Sequence, residues 1–298
     1  MTISSTPEGV AVAPRHLRFD LAEDLRTLWH GNDAFRTAFF NALSLQFPDG
    51  EQQFINAVRL YRDQVDDPKL KEEIRGFIGQ EALHSREHKH YNEALKARGY
   101  DIAAIDERFR KHMDWVADLA PSRQLAGTCG AEHYTAVLAN AILRHPEWLD
   151  GATPGMARLW RWHAIEETEH KSVAFDVYRH CVGNERLRRV VFLFVTWNFF
   201  RYTFLNTCSL LKTDGKLWSP GTWVGGINFL WGKPGILRRC LPDFLAYFRE
   251  GFHPWQQDNR DLIDKNLNEL ELEQTARQQA AEITRALCKT ECGQEQRQ

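Results

Sequence analysis

The chain has 298 residues, 43% of them hydrophobic, enough for a sizeable core in one large domain or two smaller ones. A formal net charge of -2, with basic residues matched by acids along most of the length, gives no electrostatic footprint for nucleic acid. Six cysteines, at 129, 181, 208, 240, 288 and 292, form no CxxC pair and no disulfide-type spacing, and the N-terminus lacks a basic start followed by an apolar run. A cytoplasmic chain with reduced thiols and no secretory signal is expected.

In chain order, residues 1–15 read as a flexible leader. "DAFRTAFFNALSLQF" is a helix expected to stop near "PDG", and "EQQFINAVRLYRDQV" restarts with Asp49 or Gly50 as its cap. Asp66, Asp67 and Pro68 break that helix, and a single long one then runs from Pro68 to Gly99. A further helix begins near Pro121 and Ser122 and continues to Pro146, and a fourth starts after Pro154. No alternating strand pattern competes, so the fold class is all-α.

Two of these helices carry GluxxHis. In "FIGQEALHSREHKHYNEAL" Glu81, His84 and His88 fall on one stripe at about 100° per residue. "WHAIEETEHKSVAFDVY" repeats the offset with Glu167 and His170. Glu51 precedes Glu81 by 30 residues and Glu132 precedes Glu167 by 35, distances that suit two helical hairpins with the carboxylates at one level. A dinuclear centre in a four-helix bundle takes this set: one Glu from each of two helices and a GluxxHis from each of the others. Carboxylates bridge two hard cations and neutralise them, while each imidazole fixes one ion's geometry.

At these residues the chain resembles the ferritin-like di-iron carboxylate superfamily. More narrowly, "FPDGEQQFINAVRLY", "FIGQEALHSREHKHYN", "WRWHAIEETEHKSVAFDVY" and "FHPW" resemble a bacterial family labelled predicted metal-dependent hydrolase. The resemblance implies a ferritin-like four-helix bundle over 16–185, with metal on Glu51, Glu81, His84, Glu132, Glu167 and His170. The expected cofactor is two iron ions, with manganese or a mixed pair as the alternative. An O2-activating oxidase or oxygenase is the leading expectation; a hydrolase using metal-activated water and a non-catalytic metal protein are the alternatives.

His163 lies one turn before Glu167, where arylamine N-oxygenases of the di-iron superfamily, which "HAIEETEH" resembles, supply a third imidazole; it is expected on the same metal as His170, with a histidine hydrogen-bonded between Trp160 and Trp162 as the alternative. His88 reads as a ligand or a group behind one, and Glu166 and Glu169 as groups behind the ligands or on the surface. His90, His112, His145, His180 and His253 read as surface or hydrogen-bonding residues, and His133 points off the ligand face.

Residues 186–260 are expected to form an aromatic-rich helical cap packed on the bundle. "VVFLFVTWNFFRYTFLNTCSLL" nearly matches a membrane span in length, but Arg201, Asn198 and Asn206 at its centre argue for a helix packed on the bundle, with a membrane-surface segment as the alternative. "WSPGTWVGGINFLWGKPGILRRC" reads as a packed loop and cap, or as a lid over an apolar channel. Residues 261–298 form a polar amphipathic helix with a frayed tail. The partners expected are a hydrophobic small-molecule substrate, dioxygen, an electron donor for oxygenase chemistry, a peripheral membrane contact and a second copy in a homodimer.

Overall fold

The computed structural model describes residues 3–295; in the C-terminal helix, side chains are described as far as residue 276. Proline and acid at helix starts account for most boundaries. Helices α2 (Phe47–Arg59), α3 (Pro68–Ala97), α5 (Pro121–Arg144) and α6 (Pro154–His170) all carry proline in the first turn, where its missing N–H costs nothing. Asp67 caps α3 by accepting from Lys69 N, as Asp33 caps α1 (Ala34–Ser44) by accepting from Arg36 N.

These four proline-started helices form the central bundle. The pairs α2–α3 and α5–α6 pack as hairpins, α2 also meets α5, and α3 meets α6. Helix α4 (Ile102–Ala117) occupies the crossover between the hairpins. α7 (Val173–Cys181) follows α6 after a break at Lys171 and Ser172, α8 (Glu185–Thr213) lies along α1 and α5, and α9 (Pro220–Trp231) and α10 (Ile236–Ala246) cover one side. α11 (Arg260–Glu295) runs along α5 and α6. Among the described residues no strand forms beyond a lone bridge between His30 and Ala152. The fold is all-α, as the periodicity predicts.

Three details differ from the sequence reading. The break between the first two helices falls at Leu45–Gln46, and "PDG" opens α2, because proline that blocks a helix interior fits its first turn. The glycine- and tryptophan-rich stretch, read as a packed loop and cap, forms α9 and the start of α10 with a turn between them at 232–235. Gly226 lets α9 approach the Phe35 ring, since an added Cβ would sit 2.3 Å from it.

The described part of the leader is no loose tail. Residues 3–15 form an extended strap over α3, α6 and α7: Ile3 N and Ser4 N donate to the Asp67 carboxylate, Ser4 Oγ to Glu73 (2.8 Å), and Ser5 N to Asp176 (2.9 Å). Gly76 and Gly79 clear its path on α3. A Cβ at Gly76 would lie 1.9 Å from Val12 O, and one at Gly79 would lie 2.4 Å from Pro14 Cγ.

Candidate metal centre

All seven sequence-predicted residues meet inside the bundle. Glu51 comes from α2, Glu81 and His84 from α3, Glu132 from α5, and His163, Glu167 and His170 from α6; each is at most 4% exposed. They fall into overlapping groups whose donor atoms lie within 4.8 Å of one another. Glu51, Glu81 and His84 make one, and Glu81, Glu132, Glu167 and His170 another. Glu81 belongs to both, as a bridging carboxylate must.

Glu167 spans the two sides with its separate oxygens. Oε1 is 3.1 Å from His163 Nε2 and 3.5 Å from His84 Nδ1, whereas Oε2 is 3.5 Å from His170 Nε2. His170 Nε2 also lies 3.1 Å from Glu81 Oε1 and 3.4 Å from Glu132 Oε2. His163 therefore groups with His84 and Glu167, or with Glu51 and His88, and not with His170 as the sequence reading had it. The reason is axial rise, since His163 and His170 share a face of α6 but lie seven residues, ~10 Å, apart along it and meet opposite oxygens of Glu167.

Hydrogen bonds behind the cluster fix which imidazole nitrogens face it. Gln80 Nε2 donates to Glu169 Oε2 (2.8 Å) and Ala13 O, so its Oε1 must accept from His170 Nδ1–H (2.9 Å), leaving a bare Nε2 toward the three glutamates. A second chain holds His163. Ser44 Oγ donates to Asn92 Oδ1 and accepts from His88 Nδ1–H; His88 Nε2 then accepts from His163 Nδ1–H (2.9 Å), so His163 Nε2 presents a lone pair to Glu167. His88 thus stands behind His163.

A lone pair facing carboxylate oxygens repels them unless a cation or a proton lies between. Without metal, burial would lower His170, but Glu167 and Glu132 overcome it and raise His170 well above the ordinary imidazole value. Both oxygens of Glu51, Glu81 and Glu132, along with His170 Nε2, have no hydrogen-bond partner in the fold. Four glutamates carry four formal charges, which two divalent cations neutralise. Protonation tells the same story. Burial first, then the Glu81 charge, pushes Glu132 up to about 8, and the same causes raise Glu51 well above the carboxylate range. Burial alone would lower His84, but Glu166 and Glu167 overcome it and raise His84 to about 10; His163, buried and beside His84, falls to about 4. The residues fit metal cations.

Sequence reasoning missed Arg15. Its guanidinium forks onto Glu169 (2.6 and 2.7 Å), and its backbone N–H donates to Glu166 Oε1 (2.9 Å), which also accepts from Trp162 Nε1 (3.1 Å). Glu166 Oε2 is 3.0 Å from His84 Nε2, and Glu169 holds Gln80 and through it His170. One strap residue thereby braces both GluxxHis imidazoles. No local pattern marks Arg15, because its partners lie some 150 residues away. His133 bonds Asp243 O and His253 pairs with Asp176, both away from the centre.

A cavity of about 140 Å³ reaches the cluster at Glu51 and Glu167. Phe47, Phe54, Phe109, Val195, Phe199 and Tyr202 give it a largely apolar wall drawn from α2, α4 and α8. An all-α protein whose bundle buries four glutamates and three histidines around one point can hold metal cations. Comparison with known families agrees: residues 13–258 match the family described as "Predicted metal-dependent hydrolase", and the chain belongs to it. Neither the curated proteins nor the solved structures gave a match.

Proposed function

We propose that the protein is a dinuclear metal-dependent hydrolase acting on an apolar small molecule. Glu51, Glu81 and His84 would hold one ion and Glu132, Glu167 and His170 the other, with Glu81 and Glu167 within reach of both groups and His163 a further donor on the His84 side. Oxygen and imidazole donors without a thiolate suit iron or manganese. The observation that carries the reading is the meeting of this cluster with the apolar cavity at Glu51 and Glu167; the family description supports hydrolysis. When bound, the metals supply Lewis acidity that brings the pKa of a water near neutrality and polarises the bond to be cleaved.

The chain's own residues do the rest. The aromatic wall binds the apolar part of the substrate and limits bulk water, while Gln46, Gln53 and Gln124 offer polar contacts. Glu51 also faces the cavity, so the carboxylate oxygen it does not give to an ion would be placed to take the proton of the attacking water. Metal-loaded protein should cleave aryl esters of increasing acyl length, and chelation should abolish the activity. The carboxylate-rich donor set also favours a second reading, O2 activation at a di-iron centre. O2 uptake by reduced, iron-loaded protein that cleaves no ester or amide replaces hydrolysis with that chemistry.

A further inference from the structure

One side of the molecule breaks the rule that large apolar residues are covered. On α8, Val190, Leu193, Phe194, Trp197 and Phe204 fall within about 100° of one another around the helix and form one outward stripe. Phe194 is 64% and Trp197 67% exposed. α9 adds Val224, Ile227 and Trp231, α10 adds Leu241 and Leu245, and Trp218, 89% exposed, stands in the connection between α8 and α9. Between the three helices lies an open apolar groove of about 620 Å³ that includes Leu193, Phe204, Ile227, Trp231, Leu241 and Leu245. The sequence expectation of a helix packed on the bundle therefore describes only the inner face of α8.

Charge tells what covers this side. Residues 185–250 contain ten lysines and arginines against Glu185, Asp214, Asp243 and Glu250, a net of +6, whereas the whole chain carries -2; the remainder therefore carries -8. Arg186 and Arg189 precede the apolar stripe, Lys212 and Lys216 follow it, and Lys233, Arg238 and Arg239 sit at the junction of α9 and α10. Two copies joined through such faces would set like charges against each other. An anionic bilayer offers the opposite charge and an apolar layer beneath it. Tryptophan and phenylalanine suit that boundary, and basic residues at both ends of an apolar helical face are what a helix lying in the interface plane requires. Among the described residues no helix is long and apolar enough to cross a membrane. At 29 residues α8 is ~44 Å long, enough to lie along the surface.

We propose that the face built by α8, α9 and α10 docks the protein on an anionic lipid bilayer, with Phe194, Trp197 and Trp218 entering the headgroup region and the surrounding lysines and arginines meeting lipid phosphates. The groove opens on that same face, so an apolar chain can pass into it from the lipid.

Flotation of the full-length protein with vesicles tests this, using phosphatidylcholine mixed with phosphatidylglycerol and phosphatidylcholine alone. The protein should float with the mixed vesicles, bind the neutral ones far less, and lose affinity as salt is raised. Phe194→Glu combined with Trp197→Glu should abolish flotation. Lys212→Gln with Lys216→Gln should lower the partition coefficient roughly thirtyfold at low ionic strength, from the usual contribution of a basic residue at an anionic surface. All these positions are exposed, so metal content and melting temperature should not change. A protein that stays in the supernatant, or a double glutamate variant that floats like the wild type, overturns the proposal. So does a concentration-dependent dimer, seen by sedimentation, that the glutamates dissolve without any vesicle binding.

Discussion

Glu132 offers the sharpest separation between a metal centre and an ordinary buried acid. In the protein without metal its carboxyl sits at about 8, raised by burial first and by Glu81 second. The unfolded chain ionises near the ordinary 4.5, so the stabilising effect of the protonated form is complete below that value and is lost as pH rises toward 8. At ~1.4 kcal/mol per pH unit the ceiling is about 5 kcal/mol, and sharing of protons with Glu81 brings the expected loss to about 2–3 kcal/mol. Glu132→Gln removes that loss. Metal-free wild type and Glu132→Gln should therefore melt close together at pH 5, while at pH 8 the variant should melt higher by several degrees, at roughly 2 °C per kcal/mol for a chain of this size. Metal must invert the order, because glutamine cannot supply the anionic donor. Scanning calorimetry at both pH values, with and without iron(II) or manganese(II), measures all four gaps. If the gap between variant and wild type is the same at pH 5 and pH 8, or metal stabilises both proteins equally, the reasoning about Glu132 is wrong.

Arg15→Met should lower metal affinity roughly 10–100-fold, as loss of a group orienting metal ligands does, with helix content by circular dichroism unchanged; equal affinity in competition titrations would remove Arg15 from the account. Gly76→Ala should cost ~1–3 kcal/mol and expose the strap to proteases, because Val12 O occupies the space a methyl needs. Gly225→Ala, where an added Cβ meets nothing within 4 Å, should instead raise stability by ~0.5–1 kcal/mol in α9. His163→Ala should weaken the ion grouped with His84 and spare the one at His170, a difference that stepwise metal titration detects.

The gathering of these glutamates and histidines was legible because its signal is a period. Two GluxxHis motifs and single glutamates 30 and 35 residues earlier fix the helical phase, and helical phase brings the groups into one interior. His88 and His163 were visible as stripe members, but the direction of their relay depends on Ser44 and Asn92, which only tertiary packing brings to His88. Arg15, Gln80 and the strap left no local trace, since a single arginine or glutamine is read from its partners. "PDG" misled because one proline both ends and begins helices. The helix α9 was hidden by its glycines, which disfavour helix in isolation and are tolerated where the chain must approach Phe35 closely.

The claim on which the rest depends is that this bundle holds two metal ions. Elemental analysis of the protein after loading with iron(II) or manganese(II) and exhaustive removal of free ion tests it directly, with the Glu81→Ala and Glu167→Ala variants alongside. The account predicts two ions per chain in the wild type and a loss in both variants, whose glutamates each serve two groups of donors. Wild-type protein that retains no ion, or variants that retain as much as it does, would contradict it.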